Sequence, residues 1–495
     1  MKSELWNMRF RNLRLKVSEP WTIADFNKVA KTLKNNQSRD PHGMINKLFK
    51  EGLAGQGLKM GVIELMNLIK SSFFLPEYMK FADITSIYKL KGSRLDLQND
   101  RGIFILAVLR KFLDKLTYQD KYPDLDLSMS DSNIGALKKK NVRNHLFIVY
   151  GVINSVLREG KGCVDIQIYD LVQAFDSLWL QDCLNELYDA LPDEKRDDKL
   201  ALVYQTNVNN LVAVNTSVGQ TQRVNMPQIV QQGGAWGPME CSVSIDRIGK
   251  LCTERGENMY RYKNLVDIVP LAMVDDLLGI ATCGLKSMEL NTFINTQIEM
   301  KRLRFHTPDA DGKTKCHRMH VGRRNEFCPQ LQVHGTDMQL VSSDVYLGDE
   351  ISSDGSNRQN IQRRVSKGNG KISEIMSMLE KTSVGVHYFK IAMLLRESIF
   401  LNSVLTNSEV WYGLTSADID LLEAVDKDLL RRIYKVPNST PIAGLYLESG
   451  IMRIGTLKAR RVNFLHYLLT CCQEFSMHSG NMLRNRTGWS KFRRI

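Results

Sequence analysis

Residues 270–281, Pro-Leu-Ala-Met-Val-Asp-Asp-Leu-Leu-Gly-Ile-Ala, set two adjacent carboxylates, Asp275 and Asp276, between apolar runs. Residues 271–274 and 277–281 each have the length of a buried strand, so the acidic pair is predicted in a tight hairpin turn. Ionised neighbours repel, and their burial without partners is costly. The fold must therefore leave the pair in water as an ordinary surface turn, where Asp is favoured, or bring cations to it. The rest of the chain has to decide between these readings.

A second acidic position lies about a hundred residues earlier. Val164, Ile166 and Ile168 alternate with Asp165, Gln167 and Tyr169, the period of a half-buried strand. Carried forward, Asp170 falls on the apolar face, where a carboxylate needs a cation or hydrogen-bond donors. Phe175 and Asp176 follow after a turn, then a helix through Leu178, Cys183 and Leu187. Residues 231–238, Gln-Gln-Gly-Gly-Ala-Trp-Gly-Pro, run into a helix carrying Ile245, Ile248 and Leu251. Glycine there allows close backbone approach, and a helix start of this kind suits a phosphate or a base pair. Lys89, Lys91 and Arg101 flank a strand and a polar loop; they read either as a converging phosphate grip or as solvated loop charges.

The 495 residues exceed the usual ceiling for one core, so roughly two to four subdomains are expected. Composition is globular, and a formal net charge of +13 favours a polyanionic partner, because basic surface releases counterions from phosphates. No apolar run reaches the ~20 residues of a membrane helix, and the N-terminus lacks a signal-peptide core. Nine cysteines in so long a chain point to reduced thiols and an intracellular setting, nucleus and cytoplasm. Residues 20–80 read as helical, 121–143 as polar and irregular with basic residues at 138–140 and 143, and 201–225 as two strands joined near 207–210. Residues 288–303 read as helix, and 361–379, 388–405, 418–433 and 457–469 as a separate helical module. Arg484 to Arg494 is a basic tail.

Nucleotide transfer to a primer 3′-hydroxyl needs two hard cations, and a few carboxylates, phosphates and waters satisfy Mg²⁺. The order Ile87-Tyr-Lys89, Asn99-Asp-Arg-Gly102, Tyr169-Asp-Leu-Val-Gln-Ala-Phe-Asp176, Gln232-Gly-Gly-Ala-Trp-Gly-Pro238, Met273-Val-Asp-Asp276, Lys315-Cys316 and Tyr346-Leu-Gly348 resembles the reverse transcriptases of non-LTR (LINE-type) retrotransposons. The resemblance implies an α+β right-hand polymerase fold: an N-terminal helical extension over 1–80, fingers over 81–160, and a palm with an antiparallel sheet and flanking helices over 161–350. A helical thumb and post-thumb region would cover 360–475, and the basic tail 476–495. Asp170, Asp275 and Asp276 are the implied ligands of two Mg²⁺ ions, with Mn²⁺ as a substitute. Lys315 is the implied proton donor to pyrophosphate, with Lys313 a rival. Lys89 and Arg101 would hold the triphosphate, Phe175 would exclude a ribose 2′-hydroxyl, and Gln232 and Gly233 would approach the nascent base pair. Tyr346, Leu347 and Gly348 would form the primer grip. The implied partners are an RNA template, a DNA primer, their RNA–DNA hybrid and dNTPs.

Met273 stands where the family usually has an aromatic, Gln173 where Lys is common, Trp236-Gly237 for Leu-Ser, and Gly102 for Pro. These departures leave every metal ligand in place, but they motivate a second reading, a catalytically silent polymerase-fold protein that binds nucleic acid. An RNA-templated RNA polymerase is disfavoured by the bulk of Phe175. Cys316, His317, His320, Cys328 and His334 offer zinc-ligand types, but their spacing fits none of the usual zinc patterns.

Overall fold

In the computed structural model the described residues are 17–462, apart from 35–38, 51–54, 90–92, 95–98, 139, 161, 217, 229, 232, 256–259, 263–265, 309–313, 324–328, 382–384 and 460. The predicted basic tail and residues 463–469 of the last predicted helix lie outside them.

The N-terminal helices α1 (Ile23–Thr32) and α2 (Gln56–Ser72) bury Phe26, Val29, Met66 and Ile69. Strands β1 (Phe81–Tyr88) and β2 (Asp100–Leu106) form an antiparallel hairpin that brings Arg101 opposite Ile87. Helix α3 (Val108–Ser128) follows, packing Phe112, Leu113 and Leu116 against the N-terminal helices. The expectation of irregular structure from residue 121 is corrected here, for α3 continues through Pro123. Proline removes a helical donor. Even so, Leu125 is fully buried beyond it, and Tyr122 reaches Asp126 from its hydroxyl at 3.0 Å. Tertiary packing outweighs the local penalty.

Helix α4 (Val142–Glu159) leads into β3 (Cys163–Asp170), then the one-turn α5 (Ala174–Ser177) and α6 (Leu180–Ala190). The segment predicted as two strands instead opens as helix α7 (Asp198–Asn207), because Asp197 caps it by accepting from the Lys199 N–H at 3.0 Å. Strands β4 (Val208–Thr216) and β5 (Val224–Gln228) then return to the first sheet, β4 lying parallel to β1. Helix α8 (Gly237–Glu254) has Pro238 in its first turn, as expected.

The central sheet is assembled around β3. Strand β6 (Leu271–Met273) hairpins into β7 (Asp276–Thr282), and helix α9 (Leu285–Met300) separates β7 from β8 (His317–Gly322) and β9 (Gln339–Val341). The strand order is β9-β8-β3-β7-β6, antiparallel except for the β8–β9 pair. Val164, Ile166 and Ile168 face α4 and the C-terminal helices, as the alternation requires. The other face is not half-exposed as predicted: Asp165 and Gln167 are fully buried, Gln167 donating to the Ser287 carbonyl on α9 at 2.9 Å. Covering helices turn an alternating strand into one buried on both faces.

The hairpin of β10 (Ser343–Tyr346) and β11 (Asp349–Ser352) joins the sheet to helices α10 (Arg358–Lys381), α11 (Tyr388–Leu395) and α12 (Ser416–Tyr434). Fully buried Asp349 ties the two parts together: it pairs with Arg364 and accepts from the Trp411 indole at 2.8 Å. Residues 388–405 are not one α-helix, since α11 passes into a π-helical stretch, Arg396–Leu401. Arg396 there grips Asp426 of α12 through two bonds of 2.7 Å. The whole is a mixed α/β fold, with helices interspersed among the strands as well as before β1 and after β11. Among the described residues, no helix is long and apolar enough to cross a membrane.

Candidate active site

Ladder register brings the three predicted carboxylates together. Asp276 lies directly opposite Asp170 across β7 and β3, and it also pairs with Met273, leaving Val274 and Asp275 as the two residues of a tight hairpin turn. Val274 takes a φ of +58°, a left-handed conformation that a β-branched residue adopts only under constraint. The constraint is visible. Residues 132–134 run along β6, with Ala272 donating to the Ser132 carbonyl (2.9 Å) and Ile134 donating to the Ala272 carbonyl (3.0 Å). Gly135 then abuts the turn so closely that a Cβ there would lie 2.7 Å from the Val274 nitrogen.

Electrostatics distinguish this cluster from a surface turn. Asp275 and Asp276 reach solvent, yet enough protein surrounds them to disfavour ionisation. Burial raises the Asp275 pKa and the Asp170 charge adds to it, while Arg101 pulls it down. Burial, then Asp275 and Asp170, push Asp276 up to about 6. Lys315 brings its Nζ to 3.5 Å from Asp170 Oδ2, while its predicted rival Lys313 lies outside the described residues. Of the predicted basic residues, Arg101 on β2 acts on Asp275 and Lys89, just past β1, acts on His306, both from a different sheet, while Lys91 lies outside the described residues.

His306 was missed from the sequence. Its N–H donates to the Asp170 carbonyl at 3.0 Å, and its Nε2 sits 3.0 Å from Lys315 Nζ. Burial, then Lys315, lower its pKa, so the neutral ring accepts from the ammonium. No local pattern marks it, because the bridge between Leu171 and Phe305 that positions it joins segments far apart in sequence. Cys316 lies beneath Asp170, whose N–H points to its sulfur at 3.5 Å; burial pushes this thiol up to about 11.

Of the predicted primer-grip residues, Tyr346 is buried and stacks on His145, its hydroxyl 3.0 Å from Nδ1. Burial lowers the His145 pKa to about 3, so the ring is neutral and Nε2 donates to the Ser132 carbonyl at 2.9 Å. The β10–β11 hairpin is thereby wired to the loop that braces the acidic turn. Of the three predicted primer-grip residues, only Leu347 and Gly348, in the hairpin turn, reach the surface.

Gln232 lies outside the described residues. Gly233 takes a φ of +118° and presses against β2, where a Cβ would meet the Phe104 carbonyl at 2.8 Å. Trp236, the departure from Leu, is a buried anchor donating to Thr117 Oγ1 at 3.0 Å. Gln231 accepts from Arg110 at 3.2 Å. A groove between α1, the β1–β2 hairpin and this loop is lined by Lys34, Lys111, Lys115, Thr85 and Gly233. Phe175 sits on α5, five residues past Asp170 and half-buried against the core.

The donor set at the carboxylates is oxygen only, which fits a hard cation such as Mg²⁺. Three clustered carboxylates, with the pKa values of Asp275 and Asp276 raised, are a site that a divalent cation relieves. The set from Cys316 to His334 does not converge. Cys316 is under Asp170, His317 bonds Asp344 (2.6 Å), His320 bonds Asp165 (3.1 Å) and His334 accepts from the Phe305 N–H (3.0 Å), while Cys328 lies outside the described residues.

No protein-family profile and no curated protein matches the chain. Among solved structures, it is similar to a telomerase from Candida albicans in complex with a fragment of telomeric RNA, at 11% identity and a TM-score of 0.44, over 81% of this chain and 71% of that one. It is also similar to an apo telomerase from Candida tropicalis truncated from its C-terminal domain, at 12% identity and a TM-score of 0.37, over 60% and 59%. Likenesses at this level define no family and lend nothing to a retrotransposon origin in particular.

Proposed function

We propose that the chain is a nucleotidyltransferase of the polymerase class, and within it an RNA-directed DNA polymerase of the non-LTR retrotransposon type. The observation that carries the reading is the meeting of Asp170, Asp275 and Asp276 at the end of two adjacent strands and their hairpin turn, with Arg101 acting on Asp275 from another sheet. In this reading the first sheet is the fingers, the central sheet the palm and α10 to α12 the thumb, working in nucleus and cytoplasm.

The three carboxylates would hold two Mg²⁺ ions, which when bound lower the pKa of a primer 3′-hydroxyl and neutralise the departing pyrophosphate. Arg101 and Lys89 bind the triphosphate of an incoming dNTP. Lys315, held by His306, supplies a proton to pyrophosphate. Phe175 closes the space a 2′-hydroxyl would need, and Gly233 lets the backbone approach the nascent base pair, with Gln232 beside it. The exposed turn at Leu347 and Gly348 bears on the primer, while Tyr346 positions that turn from beneath. The groove lined by Lys34, Lys111 and Lys115 accepts the RNA template ahead of the site.

Primer extension on an RNA template with Mg²⁺ tests this. Incorporation of dNTPs but not NTPs, lost in Asp275→Asn/Asp276→Asn, is the expected result. Tight hybrid binding with no incorporation under Mg²⁺ or Mn²⁺ would replace it with the catalytically silent reading.

A further inference from the structure

At the end of the central sheet remote from the carboxylates, we propose a zinc site formed by Cys163, Cys283 and His320 with Asp165. It is independent of the polymerase reading. Cys163 opens β3. Cys283 follows β7 and faces it across the ladder, donating its N–H to the Cys163 carbonyl at 3.4 Å. His320 on β8 pairs with Asp165 on β3. Alternation puts all four side chains on the face covered by α9. The Cys163, Cys283 and His320 ligand atoms lie within 4.8 Å of one another.

The spacing suits a tetrahedral ion. Zinc–ligand bond lengths require about 3.6 Å between a sulfur and a nitrogen ligand and about 3.4 Å between nitrogen and oxygen. Cys283 Sγ is 3.4 Å from His320 Nδ1, and that nitrogen is 3.1 Å from Asp165 Oδ1. His320 Nε2 lies 3.3 Å from the Arg323 carbonyl. A neutral imidazole has one N–H for these two oxygens. With Nε2–H given to Arg323, the Nδ1 lone pair faces Cys283 Sγ and Asp165 Oδ1, with the Cys163 thiol beside them. A zinc ion would take the place of the thiol protons in that arrangement. The remaining Asp165 oxygen is fixed by Arg318 Nη2 at 2.8 Å, the kind of outer contact that orients a metal ligand. Sulfur and imidazole donors select zinc over the hard ions suited to the other end of the sheet. Bound there, zinc would clip β3, β7 and β8 together.

The test uses the full chain, reduced and treated with Zn²⁺ or Co²⁺ alone. One equivalent of Co²⁺ should give the visible bands of a tetrahedral ion and a thiolate charge-transfer band, and Zn²⁺ should displace it and raise the thermal midpoint. Cys283→Ser and His320→Ala should abolish the charge-transfer band or weaken binding at least about 10-fold, and Asp165→Asn about 10- to 100-fold. Asp275→Asn should leave the spectrum unchanged. Half-exposed Cys283 carries the test if the buried Cys163→Ser fails to fold. The proposal is overturned if the reduced chain shows no thiolate–cobalt band, if Cys283→Ser binds Co²⁺ as tightly and with the same band as the unaltered chain, or if thiol titration finds Cys163 and Cys283 joined as a disulfide in a protein that takes up no metal once reduced.

Discussion

Strand β3 carries acid near both ends, in opposite settings. Asp165 is fully buried, and its oxygens are met by Arg318 at 2.8 Å and His320 at 3.1 Å. Asp170, about 16 Å further along the strand, stands with Asp275 and Asp276 at a solvent-facing cleft, where charge repels charge and one lysine approaches to 3.5 Å. Both clusters are made from register in the same antiparallel ladders. What differs is compensation. The inner carboxylate has the buried Arg318 guanidinium fixed on one oxygen, and a cation there would be drawn by sulfur and imidazole donors. The outer carboxylates are left with negative charge that a mobile hard cation can answer. Unrelieved repulsion, held in place by a braced turn, is what supports the proposed metal site at the outer end.

The comparison is broken most directly by removing charge at each end in turn. Asp275→Asn/Asp276→Asn should lower nucleotide incorporation by about 10³-fold, the several kcal/mol of a lost metal site. The thermal midpoint without metal should hold or rise, since repulsion is relieved. Asp165→Asn should act in the opposite sense, costing about 3–5 kcal/mol by stranding the buried Arg318 charge; denaturant unfolding measures it. If both substitutions destabilise alike, the contrast between the ends is false.

Gly135→Ala sharpens the role of the brace. Its Cβ would press on the Val274 nitrogen, at a cost of about 1–3 kcal/mol. Incorporation should fall by up to about 10²-fold as the turn shifts, which single-turnover extension reads directly.

The smallest effect is the pH dependence of Asp276. Its pKa is raised in the fold from 3.8 to about 6, so the folded state binds that proton more tightly than the unfolded chain. Stability from this group is present below pH 3.8 and lost as the pH rises through about 6. Thermal melts in a chelator should show this slope, and Asp276→Asn should flatten it. Incorporation should run the other way, falling at low pH as protons compete with Mg²⁺ for Asp276. Its midpoint should lie below the metal-free one, because the bound cation holds the carboxylate ionised.

Much of the outer site was legible because it is written in local patterns. The alternation of Val164, Ile166 and Ile168 placed Asp170 on a strand, and the apolar runs around Asp275 and Asp276 placed a hairpin there, although its two turn residues are Val274 and Asp275, and Asp276 opens β7. Elements governed by packing were not. Pro123 and the β-branched residues after Ala201 argued against helix, yet buried contacts and the Asp197 cap hold helices there. The polar face of β3 looked half-exposed because nothing local announces that α9 covers it.

What the sequence by itself determined is the chemistry available: three carboxylates, a glycine-rich loop, and basic residues beside a strand, each in a stretch whose period shows its local conformation. The tertiary structure alone decided which of these meet. Arg101 acts on Asp275, His306 holds Lys315, and Cys163 lies beside Cys283 and His320 only because strands distant in the chain pair in one register. Shifting that register by one residue would turn each of these side chains to the opposite face. Register is set by the hydrophobic faces of the whole sheet, which no short motif contains.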